Sequence, residues 1–122
     1  MMSTKVHGII DYIVGIVLLL APFIFRFSHH EVATVFTIIV GLAVLLQAAL
    51  TDYEAGIIRR IPMKTHLMVD ALVGLLLIVS PWLFMFSETV IWPHVLVGLF
   101  VLIGAGATQR EPSPEWRAAH HH

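Results

Sequence analysis

Four long apolar stretches, separated by short polar interruptions, dominate the pattern of the chain. They run from about Lys5 to Phe25, Val32 to Leu50, Thr65 to Phe86, and Ile91 to Thr108. The interruptions are Arg26 to Glu31, Thr51 to Lys64, and Ser87 to Val90. A helix crossing the hydrocarbon of a bilayer needs about 20 mostly apolar residues. Each stretch is therefore predicted to be a transmembrane helix, and the short connections join neighbours as hairpins. The first stretch carries Asp11, is too long for the apolar part of a leader and lacks a small-x-small cleavage pattern, so it reads as a retained helix.

Composition supports this pattern. The 122 residues are 58% hydrophobic and only 12% charged, with a mean hydropathy of +0.89. Soluble domains carry about 25% charged residues, so too few are present here to cover a water-facing surface. A soluble enzyme and a disordered chain are both excluded. Seven Lys and Arg against eight Asp and Glu leave no basic face for nucleic acid. The absence of Cys removes disulfides and thiolate metal sites. The chain reads as an all-α, polytopic membrane protein of four helices. Residues 1–111 form one membrane domain, followed by a disordered tail, 112–122. The closing His120, His121 and His122 look like a tag remnant.

Charge placement then predicts topology. Lys5, Arg59, Arg60, Lys64, Arg110 and Arg117 lie on the side shared by both termini and the central loop, and Arg26 alone lies opposite. By the positive-inside rule both termini face the cytoplasm of a bacterial-type inner membrane. Aromatic residues gather at the other end: Trp82 and Trp92 read as interfacial anchors, and the Phe residues, from Phe23 to Phe27 and at Phe84 and Phe86, as lipid-facing.

The two halves repeat. Lys5–Ser28 superimposes on Lys64–Ser87 with ten identities in 24 positions, including His7/His66, Asp11/Asp70, Gly15/Gly74 and Pro22/Pro81. Glu31–Thr51 aligns with Glu88–Thr108 with eight identities in 21. The unit is two helices, repeated over 5–51 and 64–108. A two-helix unit ends on the side where it begins, so the copies run parallel, related by a pseudo-twofold along the membrane normal.

Ser80-Pro81-Trp82, near the end of the third stretch, has Ala21-Pro22-Phe23 as its degenerate partner. With the duplication and the four apolar stretches, this tripeptide resembles the SPW-repeat family of small membrane proteins over nearly the whole chain. The resemblance implies a membrane location and two helices per repeat. It implies no activity, cofactor or substrate. Both prolines read as helix terminators rather than gating kinks.

Asp11 and Asp70 demand an explanation, because a carboxylate at mid-bilayer costs at least about 2.5–3.5 kcal/mol. Each follows a His by four residues, which puts His7 with Asp11 and His66 with Asp70 on one helical face. That face continues through Gly15, Leu18 and Pro22, and through Gly74, Leu77 and Pro81, as a helix–helix stripe. Gly41 and Gly98 make a second small-residue stripe. Three readings follow for the His–Asp pairs. The first is structural: hydrogen-bonded pairs lock the repeats together, with Lys5 or Lys64 snorkelling nearby. The second is a proton or cation path. The third, ranked last, is ligation of a divalent metal or a cofactor, and no metal or cofactor is assigned outright. His94 reads as an interfacial histidine, and His29 and His30 as solvated loop residues. No nucleophile–base pair, phosphate loop or HExxH motif is present, so catalysis is not expected. The expected partners are the lipid bilayer and a second copy or another membrane protein.

Overall fold

The computed structural model describes residues 1–121. They form five helices: α1 (Thr4–Ile24), α2 (Glu31–Leu50), α3 (Met63–Leu83), α4 (Trp92–Ala107) and α5 (Pro114–His120). The first three are long and apolar enough to cross a membrane, and α4, with 16 residues, is a shorter apolar helix. The fold is that of an all-helical, four-helix membrane protein. Helices α1 and α2 pack intimately as one hairpin and α3 and α4 as another, while the two hairpins approach less closely along their backbones.

The surface is inverted relative to a soluble protein. Ile9, Ile13, Ile16 and Leu20 point outward from α1, and Leu72, Leu75 and Val79 from α3. The polar residues His7, Asp11, Thr37, His66, Asp70, Ser80 and His94 are all buried. That arrangement costs least in hydrocarbon, where an apolar exterior carries no penalty and polar groups must find partners inside.

Within each hairpin the helices approach at paired glycines. A Cβ on Gly41 would meet Gly15 O at 3.1 Å, and one on Gly98 would meet Gly74 O at 2.6 Å. Only hydrogen fits at these contacts, so small residues set the helix separation. The four glycines thus hold each hairpin to itself. His7, Asp11, His66 and Asp70, on the same faces of α1 and α3, reach from one hairpin to the other.

The turns after α1 and α3 close in the same way. Arg26 and Met85 adopt φ of 58°, and the next residue donates back into the helix: Phe27 N to Pro22 O at 2.9 Å, Phe86 N to Pro81 O at 2.8 Å. This is the Schellman helix end, with its characteristic apolar residue after the left-handed one. Phe27 and Phe86 are that residue and are 1% exposed. They are core side chains and not lipid-facing, because the reversed backbone points them under the turn.

Pro81 has no N–H, so the carbonyl of Leu77 loses its helical donor. Ser80 Oγ donates to that carbonyl at 2.7 Å. The serine of the tripeptide thus supplies the hydrogen bond that its neighbouring proline removes. Ala21, before Pro22, has no hydroxyl to do the same.

The central loop folds back over the end of α2. Ile57 N and Ile58 N donate to Ala49 O, and Arg60 N and Ile61 N to Leu50 O. These bonds satisfy the carbonyls that a helix end leaves open. The N-terminus closes the end of α4 likewise, with Met2 N donating to Ala107 O at 2.8 Å and Gln109 N to Met2 O at 3.0 Å.

The tail differs from its expected disorder. Pro112 and Pro114 read as helix breakers, yet Pro114 occupies the first turn of α5, where a missing N–H costs nothing. Ser113 Oγ accepts from Trp116 N at 3.2 Å as the cap. Arg59 lies over the Trp116 ring at 5.1 Å, and His121 meets Asp52 at 2.8 Å, so the tail packs on the central loop. His122 lies outside the described residues.

Candidate functional site

Helical spacing places His7 and Asp11 one turn apart on α1, and His66 and Asp70 one turn apart on α3. Facing each other, these four side chains form a single cluster. His7 Nε2 lies 2.8 Å from Asp70 Oδ2 and 3.2 Å from Asp11 Oδ1. His66 Nε2 lies 3.0 Å from Asp11 Oδ2 and 3.1 Å from Asp70 Oδ2. For each histidine, the carboxylate of the other hairpin is nearer than that of its own helix. The two rings meet edge to face, 5.3 Å between centroids.

The far nitrogen of each ring is held by a threonine of the opposite hairpin. His7 Nδ1 is 2.8 Å from Thr108 Oγ1, and His66 Nδ1 is 2.6 Å from Thr51 Oγ1. A threonine hydroxyl has one proton. Thr51 gives its proton to Gln47 O at 2.6 Å and Thr108 to Gly104 O at 2.7 Å. Each hydroxyl must then accept from the ring. Both histidines therefore carry a proton on Nδ1, and both Nε2 atoms point at the carboxylates.

Each carboxylate has one further donor. Tyr53 Oη donates to Asp11 Oδ2 at 2.6 Å, and Gln47 Nε2 to Asp70 Oδ1 at 2.9 Å. Tyr53 comes from the central loop and is fully buried. Burial, and then the charge and hydrogen bond of Asp11, push its phenol well above the usual tyrosine range. Lys5 and Lys64 are exposed and pair with neither carboxylate. Their snorkelling into the cluster does not occur among the described residues, because Tyr53 and Gln47 already fill those positions.

Charge counting limits the states of the cluster. With both carboxylates ionised and both imidazoles neutral it carries two negative charges away from water, which is prohibitively costly. Positive charge must enter, as protons shared among the Nε2 atoms and the carboxylates or as a cation. A cavity of about 170 Å³ touches the cluster at His7, Asp11 and Asp70 and runs between α1 and α4 past Val14, Phe100 and Gly104.

Other residues singled out in the sequence lie elsewhere. Ser80, Pro81 and Pro22 are buried near the turns after α1 and α3, while Trp82 and Phe23 are exposed. His94 is buried rather than interfacial. Its Nε2 lies 2.8 Å from Thr37 Oγ1, whose own proton goes to Ala33 O. Phe27, Phe36 and Phe86 surround its ring. Thr37 and His94 are equivalent positions of the two repeats and meet each other. His30, expected to be solvated, accepts from Ala33 N at 3.2 Å and caps α2.

Sequence reasoning missed four participants: Thr51, Thr108, Tyr53 and Gln47. The threonines carried a signal, since they occupy equivalent repeat positions. Tyr53 and Gln47 have no matching residue in the other copy, where Arg110 and Gly104 stand.

Comparison with known families identifies one match: a family model described as the SPW repeat domain covers residues 5–108. No curated protein and no solved structure matches the chain.

Proposed function

The chain belongs to the SPW repeat family, and on that premise we propose that it is a structural or accessory protein of a bacterial-type inner membrane. In this reading both termini face the cytoplasm, and a duplicated two-helix unit gives two parallel hairpins. The protein works by associating with itself or another membrane protein within the lipid bilayer, and not as an enzyme. The gathering of Lys5, Arg59, Arg60, Lys64, Arg110 and Arg117 at one end supports the orientation.

One observation carries the structural role. Each buried histidine reaches the carboxylate and the threonine of the other hairpin, as in His7 with Asp70 and Thr108. The backbones of the two hairpins meet only sparsely, and this polar tie joins them alongside apolar contacts such as those of Leu18 and Val44 with Leu77. Removing one partner of a buried, hydrogen-bonded charge pair typically costs about 3–5 kcal/mol.

Asp11→Asn and Asp70→Asn, singly and together, test this reading. Unfolding in detergent should shift to markedly lower temperature, and neither the parent nor the variants should carry protons across liposomes. A second reading, a proton- or cation-handling protein, is favoured by the cavity that reaches His7, Asp11 and Asp70. Flux in the parent that disappears in variants of unchanged stability would establish that reading and defeat the structural one.

A further inference from the structure

We propose that His7, Asp11, His66 and Asp70 bind a single divalent transition-metal ion of the Zn²⁺ class. This deepens the reading of the cluster as an inter-hairpin tie and rests on the same four side chains. One ligand atom from each residue falls within a group whose members all lie within 4.8 Å of one another. A four-coordinate ion with bonds of about 2.0–2.1 Å separates neighbouring ligand atoms by roughly 3.3 Å. With Asp11 Oδ2 and Asp70 Oδ2 as ligands, three edges of 2.8, 3.0 and 3.1 Å (His7 to Asp70, His66 to Asp11 and His66 to Asp70) are close to that value. The other separations reach up to 4.8 Å, so the ligands must shift slightly to close on an ion. Two imidazole nitrogens and two carboxylate oxygens suit zinc and its neighbours in the first transition row.

Two further observations point to a cation rather than to hydrogen bonds alone. His66 is 0% exposed, and its Nε2 has no hydrogen-bond partner of adequate geometry although two carboxylates flank it. A buried nitrogen aimed between two anions without a directed bond is placed as a ligand lone pair would be. Next, the threonines hold both rings as the Nδ1–H tautomer, which is how histidine ligands are oriented for metal at Nε2. Tyr53 and Gln47 complete the surrounding shell by donating to Asp11 and Asp70. One divalent ion also cancels the two carboxylate charges, as two protons would, so the filled site is neutral. The cavity between α1 and α4 touches three of the four ligands.

The test uses the full chain carrying H120Q, H121Q and H122Q, so that the terminal imidazoles do not compete. Protein stripped with a chelator is titrated with Co²⁺ and with Zn²⁺, and bound metal is counted by elemental analysis. One ion per chain is expected, with the intense visible absorption of four-coordinate Co²⁺, displaced by Zn²⁺. His66→Gln should weaken binding at least tenfold. Thr51→Val keeps all four ligands but removes the acceptor holding His66 Nδ1–H, and should weaken binding about 10–100-fold. Binding well below one ion per chain overturns the proposal, as does stoichiometric binding that both variants leave unchanged. Should His66→Gln fail to fold, Thr51→Val decides.

The tie is judged separately, from the unfolding of chelated Asp11→Asn against chelated parent. Lost stability without metal binding keeps the tie and removes the metal. Metal binding with unchanged unfolding does the reverse.

Discussion

Ser80→Ala is the sharpest perturbation of the backbone logic, because a single hydroxyl stands in for a missing helical donor. Ser80 Oγ donates to Leu77 O at 2.7 Å, and Pro81 cannot. Ser80 and Leu77 are both fully buried, so no water replaces the lost bond. A buried carbonyl deprived of its partner costs about 1–3 kcal/mol. Ser80→Ala should lower unfolding stability in detergent by that amount. The same substitution in a Pro81→Ala background behaves differently, because residue 81 then has an N–H that can reach the Leu77 carbonyl. There the cost should fall to roughly a third, leaving a coupling of about 1–2 kcal/mol between the sites, within the usual span for contacting residues. Denaturant unfolding followed by circular dichroism on all four chains measures this cycle. Equal costs for Ser80→Ala in both backgrounds would refute the substitution of hydroxyl for amide, whatever Pro81→Ala costs by itself.

Two further outcomes follow from the packing and the loop. Gly98→Ala should destabilise by about 1–3 kcal/mol, since its Cβ would lie 2.6 Å from Gly74 O and 2.9 Å from Ile78 N, both backbone atoms. Gly41→Ala, with nearest contacts of 3.1 Å, should cost less, and Gly106→Ala, in open space, should be neutral or stabilising by up to about 1 kcal/mol. Thermal unfolding of the three variants checks that order, and a different ranking removes the close-approach argument. The phenol of Tyr53 is raised above its usual range by burial and by Asp11. The unfolded chain gives up this proton near pH 10 while the folded chain keeps it, so stability is fully present below about pH 10 and declines as pH rises above it. Tyr53→Phe should flatten that alkaline decline while lowering stability at neutral pH, and an unchanged alkaline slope would remove Tyr53 as its cause.

The four apolar helices were legible because hydrophobic length is itself the membrane criterion, which α4, at 16 residues, meets least well. The His–Asp faces were legible because an i,i+4 spacing fixes which side chains share one side of a helix. A single helix face does not say which neighbour it meets, so the division of labour on α1 and α3 was hidden: Gly15 and Gly74 serve their own hairpins, while His7 and His66 serve the opposite one. Thr51 and Thr108 cap helix ends, where periodicity has lapsed, and only their equivalence between repeats marked them. Tyr53 sits in a polar loop whose composition suggests exposure, and only the fold-back of that loop onto α2 buries it. The tail misled for a local reason: Pro114 after Ser113 starts a helix, whereas prolines counted by number suggest none.

The crossed pairing also has a consequence for synthesis. His7 precedes its Nδ1 acceptor, Thr108, by 101 positions. At about 5–20 residues per second, a growing chain waits roughly 5–20 s between making the donor and making its acceptor. Until residue 70 is made His7 is offered only the carboxylate of its own helix, and until residue 108 is made its Nδ1–H lacks the Thr108 hydroxyl. A chain broken before residue 108 never gains the Thr108 acceptor. Unfinished and finished molecules therefore differ in whether the buried ring nitrogens of α1 have found their partners in the second hairpin.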